Sequence, residues 1–261
     1  MRITLEDGYD VYFDDDDLRQ MYEELKLDQN KDDYITVNEM RTVTPAAFSE
    51  FVDKWTDARP HLKSRLSEQA WIFPDTVNDE VVDNLKERML TVLQLPRPLI
   101  DKYDAIQVVK YGIGGHYNAH IDSGVDTGED NSLTCCHLKL ARNCRICRYV
   151  TFMVYLNDVE KGGETAFPVA NNSTYDVEAL RHGKKLNLNK YCNKSNLMIK
   201  PKKGKAVIWY NHFINEQTGW FGHTDQLTWH GGCPVVKGTK WILNRWINAT
   251  PDRKLDLKPE Y

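Results

Sequence analysis

Between residues 105 and 247 the chain is a succession of short β-rich runs, at 105–111, 149–156, 197–201, 206–210, 227–230 and 240–247. Clusters of Gly, Asn, Asp and Pro separate them, as antiparallel strands joined by turns require. Helical periodicity comes first. Leu18, Met21, Tyr22 and Leu25 recur at i, i+3, i+4 and i+7 within 17–27, Phe48, Phe51, Val52 and Trp55 within 46–55, and Val81, Val82, Leu85, Met89 and Val92 within 79–93. Helices followed by many short strands predict a mainly β fold, a sandwich or barrel with flanking helices. Asp57-Ala-Arg-Pro60 reads as a seam between an N-terminal segment, 1–57, and the body, 58–261. The stretch 122–144 is too long for a hairpin turn and reads as a functional loop or lid.

Charge is divided along the same line. Residues 1–39 hold 13 Asp/Glu against 4 Lys/Arg, while the rest of the chain is mildly basic. An acidic head suggests cation binding there. Asp28-Gln-Asn-Lys-Asp-Asp-Tyr-Ile-Thr-Val-Asn-Glu39 fits the twelve-residue calcium loop of an EF-hand, with helical patterns on both sides. Oxygen ligands for Ca²⁺ would come from Asp28, Asn30, Asp32, the Tyr34 carbonyl, Thr36 and a bidentate Glu39. Asp33 stands where the loop's sharp turn usually has glycine, a substitution that Asp tolerates better than most residues. The alternative is a solvated acidic loop.

In the body, His120-Ile-Asp122 carries the chemistry. Residues i and i+2 of a strand share a face, so an imidazole and a carboxylate can meet one metal. Two histidines and one carboxylate on one face leave metal positions open, as non-haem Fe(II) oxygenases need. His230, in front of Gly231 and Gly232, is the second histidine by this reading, at the close of the run 227–230. His116 reads as a surface histidine or one behind the site. Alternation in 240–247 places Lys240, Ile242, Asn244 and Trp246 on one face, and an inward lysine is costly unless it meets an anion. Tyr149, Thr151, Met153 and Tyr155 share a face of a neighbouring run, from which Tyr155 can offer its hydroxyl to the same anion.

Gly112-Ile-Gly-Gly115 is no dinucleotide fingerprint, because the H-x-D run follows it rather than a helix. No basic block is long enough to argue for nucleic acid, and no run approaches the length of a membrane span. Cys135, Cys136, Cys144, Cys147, Cys192 and Cys233 make an even count compatible with disulfides, although Cys144-Arg-Ile-Cys147 also has zinc spacing. N-x-[ST] sequons at Asn171, Asn172 and Asn193 add to the case for a secretory compartment. A targeting segment would then lie outside this chain.

The run from Gln107 through Tyr111, Tyr117 and His120 to Asp122 resembles the iron-site signature of prolyl 4-hydroxylases. Gly162-Gly-Glu-Thr-Ala-Phe-Pro168, Gly204-Lys-Ala-Val-Ile-Trp-Tyr210, His230-Gly-Gly-Cys233 and Gly238-Thr-Lys-Trp241 continue the likeness in order. The resemblance implies a double-stranded β-helix (jelly-roll) core that hydroxylates peptidyl proline at C4 using Fe(II), 2-oxoglutarate, O₂ and ascorbate. Succinate and CO₂ would be released. It implies His120, Asp122 and His230 as iron ligands and Lys240, Tyr155 and Tyr111 as the 2-oxoglutarate site. Tyr117, Arg148 and Trp246 would contact a proline-containing peptide. Together with the acidic head, it points to an endoplasmic-reticulum branch of the family that carries EF-hands. That branch normally has a membrane anchor and another EF-hand upstream, so the chain reads as the shorter part of such an arrangement. The rival readings are a hydroxylase of lysine or another side chain, which Lys240 argues against, and a calcium-dependent binding module with an inactive barrel.

Overall fold

The computed structural model describes residues 2–4, 10–73, 79–101, 105–123, 147–171, 176, 180, 185–250 and 252–258. The chain divides into two compact units, Met1–Leu66 and Ser67–Tyr261.

In the first unit, β1 (Arg2–Thr4) pairs antiparallel with β2 (Asp10–Tyr12). Three helices follow, α1 (Asp15–Glu24), α2 (Val37–Met40) and α3 (Pro45–Ala58). The aspartate run at 14–17 starts α1: Asp14 caps it, Asp17 completes a capping box, and the acidic first turn faces the positive end of the helix dipole. Val11, Phe13, Met21, Val52, Trp55 and Leu62 form one core. Because Leu62 belongs to that core, the unit runs past the seam read at 57–60, ending with the two-residue strand β3 (Arg65–Leu66).

The second unit opens with β4 (Glu68–Ile72), α4 (Glu80–Leu93) and α5 (Arg97–Asp101). Then come β5 (Ile106–Tyr111), β6 (His116–His120), β7 (Cys147–Tyr155), β8 (Lys161–Gly162) and β9 (Thr165–Phe167). They are followed by β10 (Leu197–Ile199), β11 (Ala206–Tyr210), β12 (His212–Asn215) and β13 (Trp220–Thr224). Last are β14 (His230–Gly232), β15 (Val235–Lys237) and β16 (Lys240–Ala249). One sheet has the order β11-β7-β16-β5-β4, and a second within this unit runs β10-β9-β14-β6, with every pairing antiparallel.

Val109, Tyr111, Met153, Tyr155 and Ile242 of the first sheet meet Phe167 of the second in a common core, so the two sheets pack face to face as a jelly-roll-like sandwich. The opposite face of the first sheet is covered by Met89, Leu93, Leu99 and Ile100 of α4 and α5. That cover explains why β16 is buried on both faces from Arg245 onward, where alternation alone predicts one exposed face. Arg245 lies in this layer and donates through Nη2 to the Ile100 carbonyl at 2.8 Å.

Three local readings change. The run 227–230 is not a strand: Gln226–Thr228 is a 3₁₀ turn capped by Asp225, and His230 opens β14 instead of closing a strand. β6 ends at His120, leaving Asp122 in the bend beyond it. The β12–β13 hairpin has no clear alternation in sequence and went unread. Cys192 and Cys233 form a disulfide with Cα atoms 5.7 Å apart, and Cys147 is also disulfide-bonded. Cys135, Cys136, Cys144 and Asn172, and the loop after Ser123, lie outside the described residues, whereas Asn193 is exposed. No helix among the described residues is long and apolar enough to cross a membrane.

Candidate metal centre

The pairing of β14 with β6 sets His230 directly opposite His120. Their ring centroids are 4.5 Å apart. Each Nδ1 lies against a backbone carbonyl, Asn118 O at 3.0 Å for His120 and Thr228 O at 2.8 Å for His230. A carbonyl only accepts, so Nδ1 carries a hydrogen in each ring, and in the neutral ring Nε2 then has the lone pair that a metal would take. Asp122 faces both rings, with Oδ1 3.5 Å from His120 Nε2 and Oδ2 3.5 Å from His230 Nε2. Among the described residues this is the one group of three ligating side chains gathered so closely, all within 4.8 Å.

The Asp122 carboxylate is itself held. Thr151 Oγ1 donates to its Oδ2 at 2.7 Å and Trp246 Nε1 donates to the same oxygen at 3.0 Å. Asn211 Nδ2 donates to Thr151 Oγ1 at 2.9 Å, which leaves the threonine's proton for Asp122. Two bonds on Oδ2 leave Oδ1 as the oxygen free to ligate a metal. Burial pushes the Asp122 carboxyl up, but His230, His120 and Arg148 together outweigh it and hold the group well below the usual carboxylate range. Burial pushes His230 down to about 4, so it is a neutral ligand at physiological pH. The set of two imidazoles and one carboxylate suits Fe(II).

Lys240 lies opposite Tyr111 in the β16–β5 register. The side chain is 2% exposed, and its ammonium sits 5.2 Å from the Tyr111 ring centre and 5.7 Å from that of Tyr155. It makes no hydrogen bond or ion pair with any described residue. Burial pushes it down to about 7, with Glu164 pulling the other way. A buried cation lacking a partner fits an arriving carboxylate. Gly163, at φ +71°, gives the lysine room, since a Cβ there would stand 3.3 Å from Lys240 Cδ. The Tyr155 hydroxyl is engaged inside the protein, 2.7 Å from Thr165 Oγ1 and 3.1 Å from the Ile199 carbonyl, and burial pushes its pKa up to about 12.

Tyr117 stacks on His120 with centroids 3.9 Å apart, and the Arg148 guanidinium lies 3.7 Å over the Trp246 ring. Trp246 is buried, so its edge serves Asp122 while its face carries Arg148. His116 is fully buried and contacts the Gly114 carbonyl through Nδ1 at 2.9 Å; it stabilises the turn before β6 and is not a surface residue. Thr151 was legible as an inward residue of β7, although nothing in its spacing named it as a partner of Asp122. Asn211 left no signal in the sequence.

A profile of the 2OG-Fe(II) oxygenase superfamily matches residues 106–248, more than half of the chain. The chain belongs to that superfamily. His120, Asp122, His230 and Lys240 all fall inside the matched oxygenase region. Transmembrane prolyl 4-hydroxylase of Homo sapiens is 36% identical over 243 residues, 90% of this chain and 47% of that protein. Prolyl 4-hydroxylase 13 of Arabidopsis thaliana is 31% identical over 171 residues, 64% of this chain and 50% of that protein. The chain thus spans about half the length of these curated relatives. Among solved structures, a viral collagen prolyl hydroxylase from Paramecium Bursaria Chlorella virus-1, in its 2OG complex, has 29% identity and a TM-score of 0.47. The match covers 72% of this chain and 81% of that one.

The acidic loop of the first unit also has defined geometry. Asp28 accepts from the backbone N–H of Asp32 at 3.1 Å and of Asp33 at 3.0 Å. Asp32 Oδ1 accepts from Tyr34 N at 2.9 Å. Asp33 takes φ +61°, the left-handed turn for which glycine is the usual residue. Glu39 reaches back across the loop to Gln29 N at 3.1 Å and Thr36 N at 2.9 Å, and hydrogen bonds with Thr36 hold its pKa low.

Proposed function

We propose that the chain is the catalytic part of a peptidyl-proline 4-hydroxylase that converts 2-oxoglutarate and O₂ to succinate and CO₂. The buried Lys240, without a hydrogen-bond or ion-pair partner among the described residues, beside a two-histidine, one-carboxylate centre carries this reading, because that pair of features accounts for a metal and a dicarboxylate together. His120, His230 and Asp122 Oδ1 would hold Fe(II). Lys240 would bind the distant carboxylate of 2-oxoglutarate, with Tyr111 and Tyr155 walling that pocket. Tyr117, Arg148 and Trp246 would line the peptide side. Fe(II), when bound, supplies the oxidation of 2-oxoglutarate and of the substrate C–H bond by O₂, and ascorbate keeps the metal reduced.

The protein's share is placement. Thr151 and Trp246 fix the carboxylate, the two Nδ1–carbonyl contacts fix the imidazoles, and the Lys240 charge sets the depth at which a dicarboxylate stops. Prolines are favoured as substrate by the 36% identity to a prolyl 4-hydroxylase over most of this chain. The oxidised Cys192–Cys233 pair supports an endoplasmic-reticulum setting, where disulfides persist. The positive φ at Asp33 supports Ca²⁺ binding at Asp28, Asn30, Asp32, Tyr34, Thr36 and Glu39.

The decisive assay measures succinate with no peptide, with proline peptides and with lysine peptides. Proline-dependent succinate formation is expected. Stimulation by lysine peptides alone would replace the substrate assignment, and no succinate under any condition would remove the catalytic one. His120→Ala, Asp122→Ala and His230→Ala should each abolish turnover in metal-defined buffer while the sandwich stays folded. Full activity in any of the three would strike that residue from the ligand set.

A further inference from the structure

Asp122 is the one member of the triad outside a strand, since β6 stops at His120 and residues 121–123 form a bend with no ladder to hold them. The next residue is nevertheless buried: Ser123 is 5% exposed, and its Oγ lies 2.7 Å from Nε2 of His212, itself 3% exposed. His212 Nδ1 lies 2.9 Å from the Gly222 carbonyl. That carbonyl only accepts, so Nδ1 bears a hydrogen, and in the neutral ring Nε2 is the acceptor to which the Ser123 hydroxyl donates. The imidazole is a strut between the β12–β13 hairpin and the bend that carries the metal-facing carboxylate. Its neighbour Asn211 is also fully buried and donates both to Thr151 Oγ1 and, at 3.1 Å, to the Arg148 carbonyl. Asn211 secures the Asp122 side chain through Thr151, and His212 secures the adjoining backbone through Ser123.

We propose that His212 is a positioning residue for the metal centre, holding Ser123 so that the bend presents Asp122 Oδ1 beside His120 and His230. This rests on the metal-site reading above. A carboxylate on an unladdered bend has several degrees of backbone freedom to lose on ligation, and a buried partner on the next residue removes them before the metal arrives. Side chains that orient ligands in this way typically change metal affinity by about ten- to a hundredfold when removed.

The test is a titration of the metal-free full chain with Co(II), without 2-oxoglutarate, followed through the ligand-field absorption of the bound ion. Thermal midpoints are recorded alongside. Ser123→Ala and His212→Phe should each weaken Co(II) binding by about tenfold. In Co(II) affinity the double variant should be no worse than the singles, because both break the same Ser123–His212 contact. His212→Gln, which keeps an acceptor and a donor, should recover most of the affinity. Unchanged Co(II) affinity in Ser123→Ala, or losses that add in the double variant, would overturn the proposal while leaving the metal site intact. A His212→Phe protein that is less stable but binds Co(II) as the wild type does would overturn it equally. Failure of the wild type to bind Co(II) would overturn the metal centre itself and this inference with it.

Discussion

Lys240 is costly to bury, and its cost is what makes it informative. In the folded protein burial brings its pKa from 10.5 to about 7. Between those values the unfolded chain carries a proton that the folded chain has shed, so ligand-free stability should rise with pH across that window. Binding a dicarboxylate reverses the preference, because the anion needs the ammonium form. Affinity for 2-oxoglutarate should therefore weaken as pH rises above about 7, with proton uptake on binding. Calorimetry in two buffers of different ionisation enthalpy counts that proton; equal heats at pH 8.5, roughly, would place the dicarboxylate elsewhere. Lys240→Ala removes a charge-assisted contact of roughly 1.5–3 kcal/mol and should raise the KM for 2-oxoglutarate by about ten- to a hundredfold. The affinity for metal alone should change little, since Lys240 is no ligand.

The element that fixes the histidine pair is β14, and its middle residue decides how closely the strands approach. A Cβ on Gly231 would stand 2.4 Å from the Tyr117 carbonyl, 2.6 Å from Leu188 Cδ1 and 2.9 Å from the Asn118 carbonyl. Two of those obstacles are backbone of β6, so the strands would have to separate. Gly231→Ala should destabilise the protein by about 1–3 kcal/mol and also weaken metal binding, because the displaced strand carries His230. A Gly231→Ala protein with wild-type melting temperature and metal affinity would show that β14 has slack that these distances deny. The Leu188–Tyr191 helix packs here, with Asn189 N donating to Asn118 Oδ1 at 3.1 Å and the Cys192–Cys233 disulfide following it.

At the scale of the whole molecule the two units offer different sets of donor atoms. Hard oxygens on exposed and half-buried side chains line Asp28–Glu39, whereas the sandwich offers two imidazoles and one carboxylate. Ca²⁺ should raise the thermal midpoint through the first unit by mass action, since the unfolded loop cannot gather those oxygens. Glu39→Gln is the discriminating variant: glutamine still closes the capping box with Thr36, so α2 keeps its start while the loop loses a carboxylate. It should erase the Ca²⁺ stabilisation and leave 2-oxoglutarate turnover largely intact. Equal Ca²⁺ heats from both proteins, or none from wild type, would reduce the loop to an acidic surface.

That His120, Asp122 and His230 gather at one place was legible from the rarity of an H-x-D pair with a distant histidine, and the inward side chain of Lys240 from the alternation of its run. The acidic loop stands out in the sequence because its candidate oxygens all fall within the twelve residues Asp28–Glu39, so no distant contact is needed to pick them out. Strand ends were harder: His230 opens a strand where alternation closed one, since a 3₁₀ turn at Gln226–Thr228 looks apolar enough to extend the run. The hold on Asp122 came entirely from tertiary structure. Thr151, Trp246, Asn211 and His212 lie 29 to 124 residues from the bend they support or from one another's partners, and only sheet pairing and the β12–β13 hairpin bring them together. Ligand identity is set by side-chain chemistry, which a sequence displays. Ligand geometry is set by hydrogen bonds between distant strands, which exist only once the sheets have paired.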